Sequence, residues 1–392
     1  MRPLDGVTVV AVEQAVAAPF ASRQLADLGA RVIKVERPGS GDFARGYDAT
    51  VEGLASHFVW TNRSKQSLTL DLKRGEAAEA LRRLIARSDV FLHNLAPGAM
   101  TRLGFGSDAL RGAYPRLVTC EISGYGTSGP YRDKKAYDLL VQSEAGLVSI
   151  TGTDDTPSKV GISIADIAAG MYAFSGILAA LLRRERTGVG GALQVSLFDA
   201  LAEWMGYPAY FTAYGGAAPA RTGARHAAIA PYGPYAAGDG KVVYLGIQNE
   251  REWTRFCEQV LAQPALPADP RFQSNASRVE HRDALNAVIA ASFSRSPTAE
   301  IVARLDAAGI ANARMNTVEE FLEHPQLAAR GRWREVGSPV GTLRALAPPI
   351  DLDGVDTPMS PIPALGEHTD VILRELGYEP AMIESWRREG IV

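Results

Sequence analysis

Cysteine is scarce in this chain: Cys120 and Cys257 are the two copies in 392 residues, far apart and with no metal-ligand partner nearby. That excludes a disulfide framework and a cysteine-bound zinc centre, and it fits a reducing compartment. Neither sign of charge dominates, because 41 basic and 44 acidic residues leave a net charge of −3. Nothing in that balance draws the whole protein to nucleic acid or to a membrane. Histidine is limited to six residues, none between His93 and His226. An uncharged apolar run approaching the ~18 residues of a membrane span occurs once, at Ile167 to Leu182, where glycines and capped ends suit a core helix better. Met1 to Gly6 lacks the long apolar stretch of a signal peptide. A cytoplasmic protein with no metal, nucleic-acid or membrane partner is expected.

What is present reads first as alternation. Val7 to Val12 is a continuous apolar run, as in a parallel strand buried on both faces. Helical signals at Phe20 to Leu28 and Glu76 to Ser88 separate strand signals at Val32 to Val35, Ser67 to Leu72, Val90 to Leu92 and Leu117 to Thr119. This predicts an α/β fold, a doubly wound parallel Rossmann-like sheet. From Pro231 the texture changes to turns, one strand (Lys241 to Ile247) and helices near 252–261, 282–293 and 298–308. The expected division is a large domain over 1–205, a linker over 206–224, a small α+β domain over 225–325 and a return segment over 326–392. That last segment is rich in proline (Pro348, Pro349, Pro358, Pro361, Pro363).

Asp166 stands at the mouth of the apolar run, which ends in Arg183-Arg184-Glu185-Arg186-Thr187-Gly188, a helix stop. An Asp there has two readings. It is a natural N-cap, stabilised by the positive helix end. It is also an ionised carboxylate at the edge of a core, positioned as a nucleophile. Two glycine-rich segments, Gly39 to Ala44 and Gly104 to Ala109, match G-x-G-x-x-A but lack the strand–turn–helix context of a dinucleotide site. Gly161-Ile-Ser163-Ile-Ala165 resembles a serine-hydrolase elbow, for which Asp353 and His368 would be the downstream partners.

An ordered set of short motifs runs over most of the chain. It includes Ala18-Pro19, then Leu28 to Gly39 with Gly41-Asp42 and Arg45, then Asn62-x-x-Lys65-x-Ser67 and Leu70 to Lys73. It continues with Asn94-x-x-Pro-Gly98, Arg102-x-Gly104, Ser123 to Gly126, Ala136-Tyr137-Asp138 and Gln142. Thr151-Gly152, Asp166-x-x-x-Gly170, Thr187-Gly-x-Gly190 and Leu365 to Asp370 complete it. In these residues the chain resembles the family III CoA-transferases, the group containing formyl-CoA transferase and carnitine CoA-transferase.

The resemblance implies that Asp166 is the covalent nucleophile. CoA contacts would fall on Val16, Ala17, Ala18, Arg37, Asn94, Arg102, Lys135, Tyr137 and Asp138. Coenzyme A enters as substrate, with no permanently bound cofactor. The implied partners are an acyl-CoA, a carboxylic acid and a second copy of the chain in an interlocked homodimer. Succinyl-CoA or a similar donor and a dicarboxylate acceptor are expected, with Arg225 and His226 near a distal carboxylate. An Asp is ordinarily ionised near pH 7 and needs no general base.

Departures from the family pattern narrow this. The Gln that formyl-CoA transferase carries in a V-Q-A-G-P segment has no counterpart in Val16-Ala17-Ala18-Pro19. The four-glycine run of its small domain is absent from Gly223 to Pro231, and the usual Gln of T-G-x-G-Q is Gly191. Both substrate-side losses argue against oxalate and formyl-CoA. The related α-methylacyl-CoA racemases keep the Asp but use a second base, a His in a G-H-D segment. Tyr137 occupies that place here, and a phenol with a pKa of about 10 is a poor base at pH 7.

Overall fold

Six parallel strands form the main sheet in the computed structural model, which describes residues 1–357 and 359–392. They are β1 (Thr8–Val12), β2 (Arg31–Glu36), β3 (Lys65–Thr69), β4 (Val90–His93), β5 (Val118–Ser123) and β6 (Gly191–Ser196). Their order is β3-β2-β1-β4-β5-β6, and every neighbouring pair is parallel. The chain direction of winding therefore reverses between β1 and β4, the place where such sheets open a crevice at the carboxyl ends of their strands. The strands are apolar because helices cover both faces, and Val9, Val10, Ile33, Leu68, Phe91 and Leu92 are fully buried.

The expected α/β architecture is present. The sixth strand, G-A-L-Q-V-S, was not singled out by its pattern; it alternates, and its pairing with β5 leaves it at the sheet edge. Extended chain continues past β3, where the Leu70 N–H bonds the Glu36 carbonyl and Asp71 N–H bonds the Ile391 carbonyl.

The chain divides into two compact units. The first holds Met1–Ala145, Gly161–Met205 and Leu327–Val392. The second holds Gly146–Val160 and Gly206–Gln326. Two expected boundaries need correction. Residues 146–160 belong to the second unit, not the first, and half of the expected linker is a helix, Gly206–Gly215. Its composition, G-Y-P-A-Y-F-T-A-Y-G, carries the turn residues that made it read as a connection.

The return segment is tied to the first unit by backbone-level contacts. The Gly366 N–H donates to Ser67 Oγ, and the Thr69 N–H donates to Thr369 Oγ1. Pro358 lies outside the described residues.

The second unit has an antiparallel sheet of β7 (Tyr232–Ala236), β8 (Val242–Gly246) and β9 (Ala311–Arg314). Its core, including Val243, Leu245, Trp253, Phe256, Leu285, Ile289 and Phe293, packs that sheet against helices Arg282–Phe293 and Thr298–Ala307.

Candidate active site

Two helices of the first unit build the site. The first helix (Ala17–Asp27) follows β1, and the Asp166 helix (Ile164–Thr187) leads into β6. Each returns antiparallel to the strands, so both N-terminal ends meet at the carboxyl edge of the sheet. They pack closely because Gly170 has no side chain: a Cβ there would stand 2.7 Å from the Ala17 carbonyl oxygen and 3.0 Å from the Phe20 ring. This explains the Asp-x-x-x-Gly spacing physically. Asp166 projects from the same face one turn earlier, about 6 Å along the axis, toward the start of the first helix. By length and composition the Asp166 helix would suffice to cross a membrane, but half of its apolar window is buried within the protein.

The capping reading of Asp166 needs correction. The helix begins at Ile164, so Asp166 lies inside its first turn. The capping acceptor comes from elsewhere in the chain. Asp138 Oδ1 accepts from the N–H of Ala165 at 2.7 Å and of Asp166 at 3.3 Å, while Oδ2 accepts from Gln142 at 2.6 Å. Asp138 is delivered by the segment Lys135-Ala136-Tyr137, which fits against the end of β5 only because residue 124 is glycine. A Cβ on Gly124 would lie 2.2 Å from the Ala136 Cβ.

Asp166 itself has no side-chain hydrogen bond among the described residues. Part of its surface remains open, yet burial of its carboxyl, and then the like charge of Asp138, push it up to about 7. The expectation of a fully ionised carboxylate at pH 7 is thereby corrected. At that pH the group is near half-titration, which makes it a stronger nucleophile whenever it is ionised.

The turn that leads from β1 into the first helix runs from Gln14 to Val16. Ala15 adopts φ 63°, a left-handed conformation that costs an alanine about 1–2 kcal/mol. Asn94 holds the turn by accepting from the Gln14 N–H at 2.8 Å and donating to the Gln14 carbonyl at 2.8 Å. The first-turn N–H groups of Ala17 and Ala18 have no partner within the helix, and Pro19 has no N–H to offer. These orphan donors begin the helix whose Ala17 carbonyl packs against Gly170, one turn along from Asp166.

The candidate phosphate contacts divide by environment. Arg37 and Lys135 are exposed in loops after β2 and β5, and Arg102 is exposed at the end of the short helix Ala99–Arg102 after β4, with no ion pair on any of the three among the described residues. Arg37 lies over the Phe43 ring, with its guanidinium carbon 5.5 Å from the centroid, and Arg102 reaches the Pro97 carbonyl at 3.5 Å. Arg45, a motif residue in the same region, is committed inward. It donates to both oxygens of Glu36, at 2.8 and 2.9 Å, and stacks on Phe58 at 3.7 Å.

Tyr137 is exposed at the start of helix Asp138–Glu144. Sequence reading missed Tyr47. Its phenol is raised by burial, then by the charges of Asp42 and Asp166, with Tyr137 also contributing, so Tyr47, Tyr137 and Asp166 share one neighbourhood. Its only signal was an aromatic in a loop following a strand's carboxyl end.

Arg225 and His226 belong to the second unit. The Arg225 guanidinium carbon lies 5.5 Å from the Tyr235 ring centroid, and no acid pairs with Arg225 among the described residues. His226 stacks on Tyr232 with ring centroids 5.3 Å apart, and its Nδ1 accepts from the Ala228 N–H. The hydrolase arrangement is not assembled: Ser163 makes no capping bond, and His368 Nδ1 accepts from the Ser67 N–H in β3.

A family model described as CoA-transferase family III matches residues 4–369. Succinyl-CoA:glutarate CoA-transferase of Mus musculus is 32% identical over all of this chain and 91% of its own length. Acetyl-CoA:oxalate CoA-transferase of Acetobacter aceti is 35% identical, covering 91% of this chain and 90% of its own. A CaiB/BaiF family protein from Brucella suis superposes with a TM-score of 0.82 at 34% identity, over 96% of this chain and 99% of its own. The chain belongs to CoA-transferase family III and is an acyl-CoA:carboxylate CoA-transferase.

Proposed function

We propose that the enzyme moves CoA from succinyl-CoA or a similar donor to a dicarboxylate through an aspartyl-CoA thioester on Asp166. The observation that carries this reading is the Asp166 carboxylate itself, without a side-chain hydrogen bond among the described residues, beside the free N–H groups that begin the first helix.

The steps balance without a net proton. An Asp166 oxygen attacks the donor thioester carbonyl, a C–O bond forms, the C–S bond breaks, and CoA leaves as thiolate beside an acyl-aspartyl anhydride. The thiolate then attacks the aspartyl carbonyl and expels the donor acid as carboxylate, leaving aspartyl-CoA. The acceptor carboxylate attacks that thioester, CoA leaves again, and the returning thiolate takes the acceptor acyl group and frees Asp166. Arg37, Arg102 and Lys135 hold the CoA phosphates as charge-assisted contacts, keeping the thiolate close between steps. The Ala17 and Ala18 N–H groups stabilise each oxyanion.

The mouse relative's name couples succinyl-CoA with glutarate and the Acetobacter relative's couples acetyl-CoA with oxalate; both acceptors are dicarboxylates. Arg225, without an acidic partner among the described residues, is our candidate for the distal carboxylate, with His226 beside it in sequence. The working assembly is an interlocked homodimer. Its support is the helix Gly206–Gly215, almost wholly apolar, with Tyr210 71% and Tyr214 85% exposed in the single chain.

The deciding experiment incubates the enzyme with succinyl-CoA and hydroxylamine, maps the modified acid, and screens acceptors from oxalate to C5 dicarboxylates against monocarboxylates. Hydroxamate on Asp166 and faster turnover with the longer dicarboxylates are expected. Modification of any other acid, or equal rates with monocarboxylates, would remove the mechanism or the acceptor class respectively.

A further inference from the structure

Beneath the turn between β1 and the first helix lie four charged side chains with almost no contact with solvent: Glu13, Lys34, Asp42 and Lys65. Lys34 Nζ donates to Asp42 Oδ2 at 2.6 Å and to Glu13 Oε1 at 3.3 Å. Lys65 Nζ donates to Glu13 Oε1 at 2.7 Å, Asn62 Oδ1 at 3.0 Å and the Pro19 carbonyl at 3.0 Å. Ser22 Oγ donates to Glu13 Oε2 at 2.7 Å. Two acids face two amines, and burial lowers the Lys65 ammonium to about 7. Buried ion pairs contribute little net stability, because the loss of hydration offsets their attraction, and apolar residues would fill the same space at least as well. The group therefore calls for a role other than holding the fold.

Its bonds end on the turn. Asp42 Oδ1 accepts from the Ala15 N–H at 2.9 Å and from the Ala44 N–H at 2.9 Å. Lys65 fixes the other end through Pro19. These two ties bracket Val16, Ala17 and Ala18, and the first of them holds Ala15 in its left-handed conformation.

We propose that the Glu13–Lys34–Asp42–Lys65 group positions the Ala17 and Ala18 N–H groups for the oxyanions that form at Asp166. This rests on the reading of Asp166 as nucleophile. None of the four touches reacting atoms; all are positioning residues that act through the backbone of the turn.

The test compares Lys34→Met/Asp42→Ala with Lys34→Met/Asp42→Asn. Each removes one charge of each sign, and both keep Glu13 paired with Lys65. They differ in whether residue 42 still offers an acceptor to the Ala15 N–H. Single-turnover formation of the Asp166 hydroxamate should fall about 10- to 100-fold in the Ala variant, the scale of a misplaced oxyanion donor. CoA affinity should stay within about threefold of wild type, because its phosphate contacts are elsewhere. The Asn variant should recover most of the rate. Equal rates in the two variants, or CoA affinity falling in step with rate, would overturn the proposal. Absence of Asp166 hydroxamate in the wild type would instead overturn the nucleophile on which it rests. Should neither variant fold, Glu13→Gln/Lys65→Met releases the Pro19 end and should show the same split between rate and CoA affinity. Failure of that pair to fold as well would show the group to be structural and overturn the assignment.

Discussion

The Asp138 carboxylate accepts the backbone N–H of Asp166, 28 positions along the chain, and so caps the helix that carries Asp166 while opposing that residue's charge. One side chain thus does two things at once. It satisfies the helix end, and it helps hold Asp166 near half-titration at neutral pH.

Asp138→Asn separates these effects. The amide oxygen still accepts from the Ala165 and Asp166 N–H groups, but the like charge is gone. Burial, the larger cause of the shift, remains, so the Asp166 carboxyl should move down from about 7 by on the order of one pH unit. The acid limb of Asp166 hydroxamate formation should move down with it. At pH 6 the variant should be faster than wild type in this step, and at pH 8.5, where both are ionised, slower by up to about threefold because its carboxylate is the weaker base. An unmoved acid limb would show that Asp138 does not tune Asp166.

Asp166→Asn should abolish CoA exchange while leaving CoA binding intact, since an amide is not a nucleophile. It should also stabilise the protein in alkaline solution. The folded-state pKa is raised above its unfolded value, so the wild type loses stability as pH rises from about 4 through about 7. The gain in the variant should be about 1–3 kcal/mol at pH 8, shrink as pH falls, and vanish below about pH 4. Denaturant titrations at pH 8 and pH 5 check the sign. A gain that is larger at pH 5 would contradict the burial of the charge.

Arg37 and Arg45 should respond differently to the same change. Arg37→Gln should weaken CoA by about 1.5–3 kcal/mol, the scale of a charge-assisted hydrogen bond, with little effect on melting. The loss should be smaller for dephospho-CoA if Arg37 meets the ribose phosphate. Arg45→Gln leaves Glu36 buried beside Lys34 without its bidentate partner. Burial alone would raise Glu36, and Arg45 helps hold it at about 2. That variant should lose melting temperature first. Calorimetric titration of CoA beside thermal melts distinguishes the two.

The interlocked dimer predicts that dilution yields no folded monomer, because threaded chains cannot part without unfolding. Tyr210→Glu/Tyr214→Glu should impair assembly if the partner covers this helix. Sedimentation of a stable, active monomer would refute the architecture and leave the Asp166 chemistry standing.

The parallel sheet was legible because a strand buried on both faces must be apolar along its length, as Val7 to Val12 is. The family was legible because glycines mark places where backbones touch. Gly170 against Ala17 and Gly124 against Ala136 are such places, and their spacing survives in one dimension. Asp166 could be singled out for the same reason. Its cap and its protonation could not, because the cap comes from Asp138, which only the packing of two helices brings near, and the protonation comes first from burial and then from Asp138. Exposed Arg37 and inward-facing Arg45 look equivalent as letters; the fold separates them by placing Glu36 beside one. Sequence alone determined which chemical groups the chain carries and how its strands alternate with helices. The tertiary structure decided their charge states and partners, because those depend on burial and on through-space distances between residues far apart in the chain.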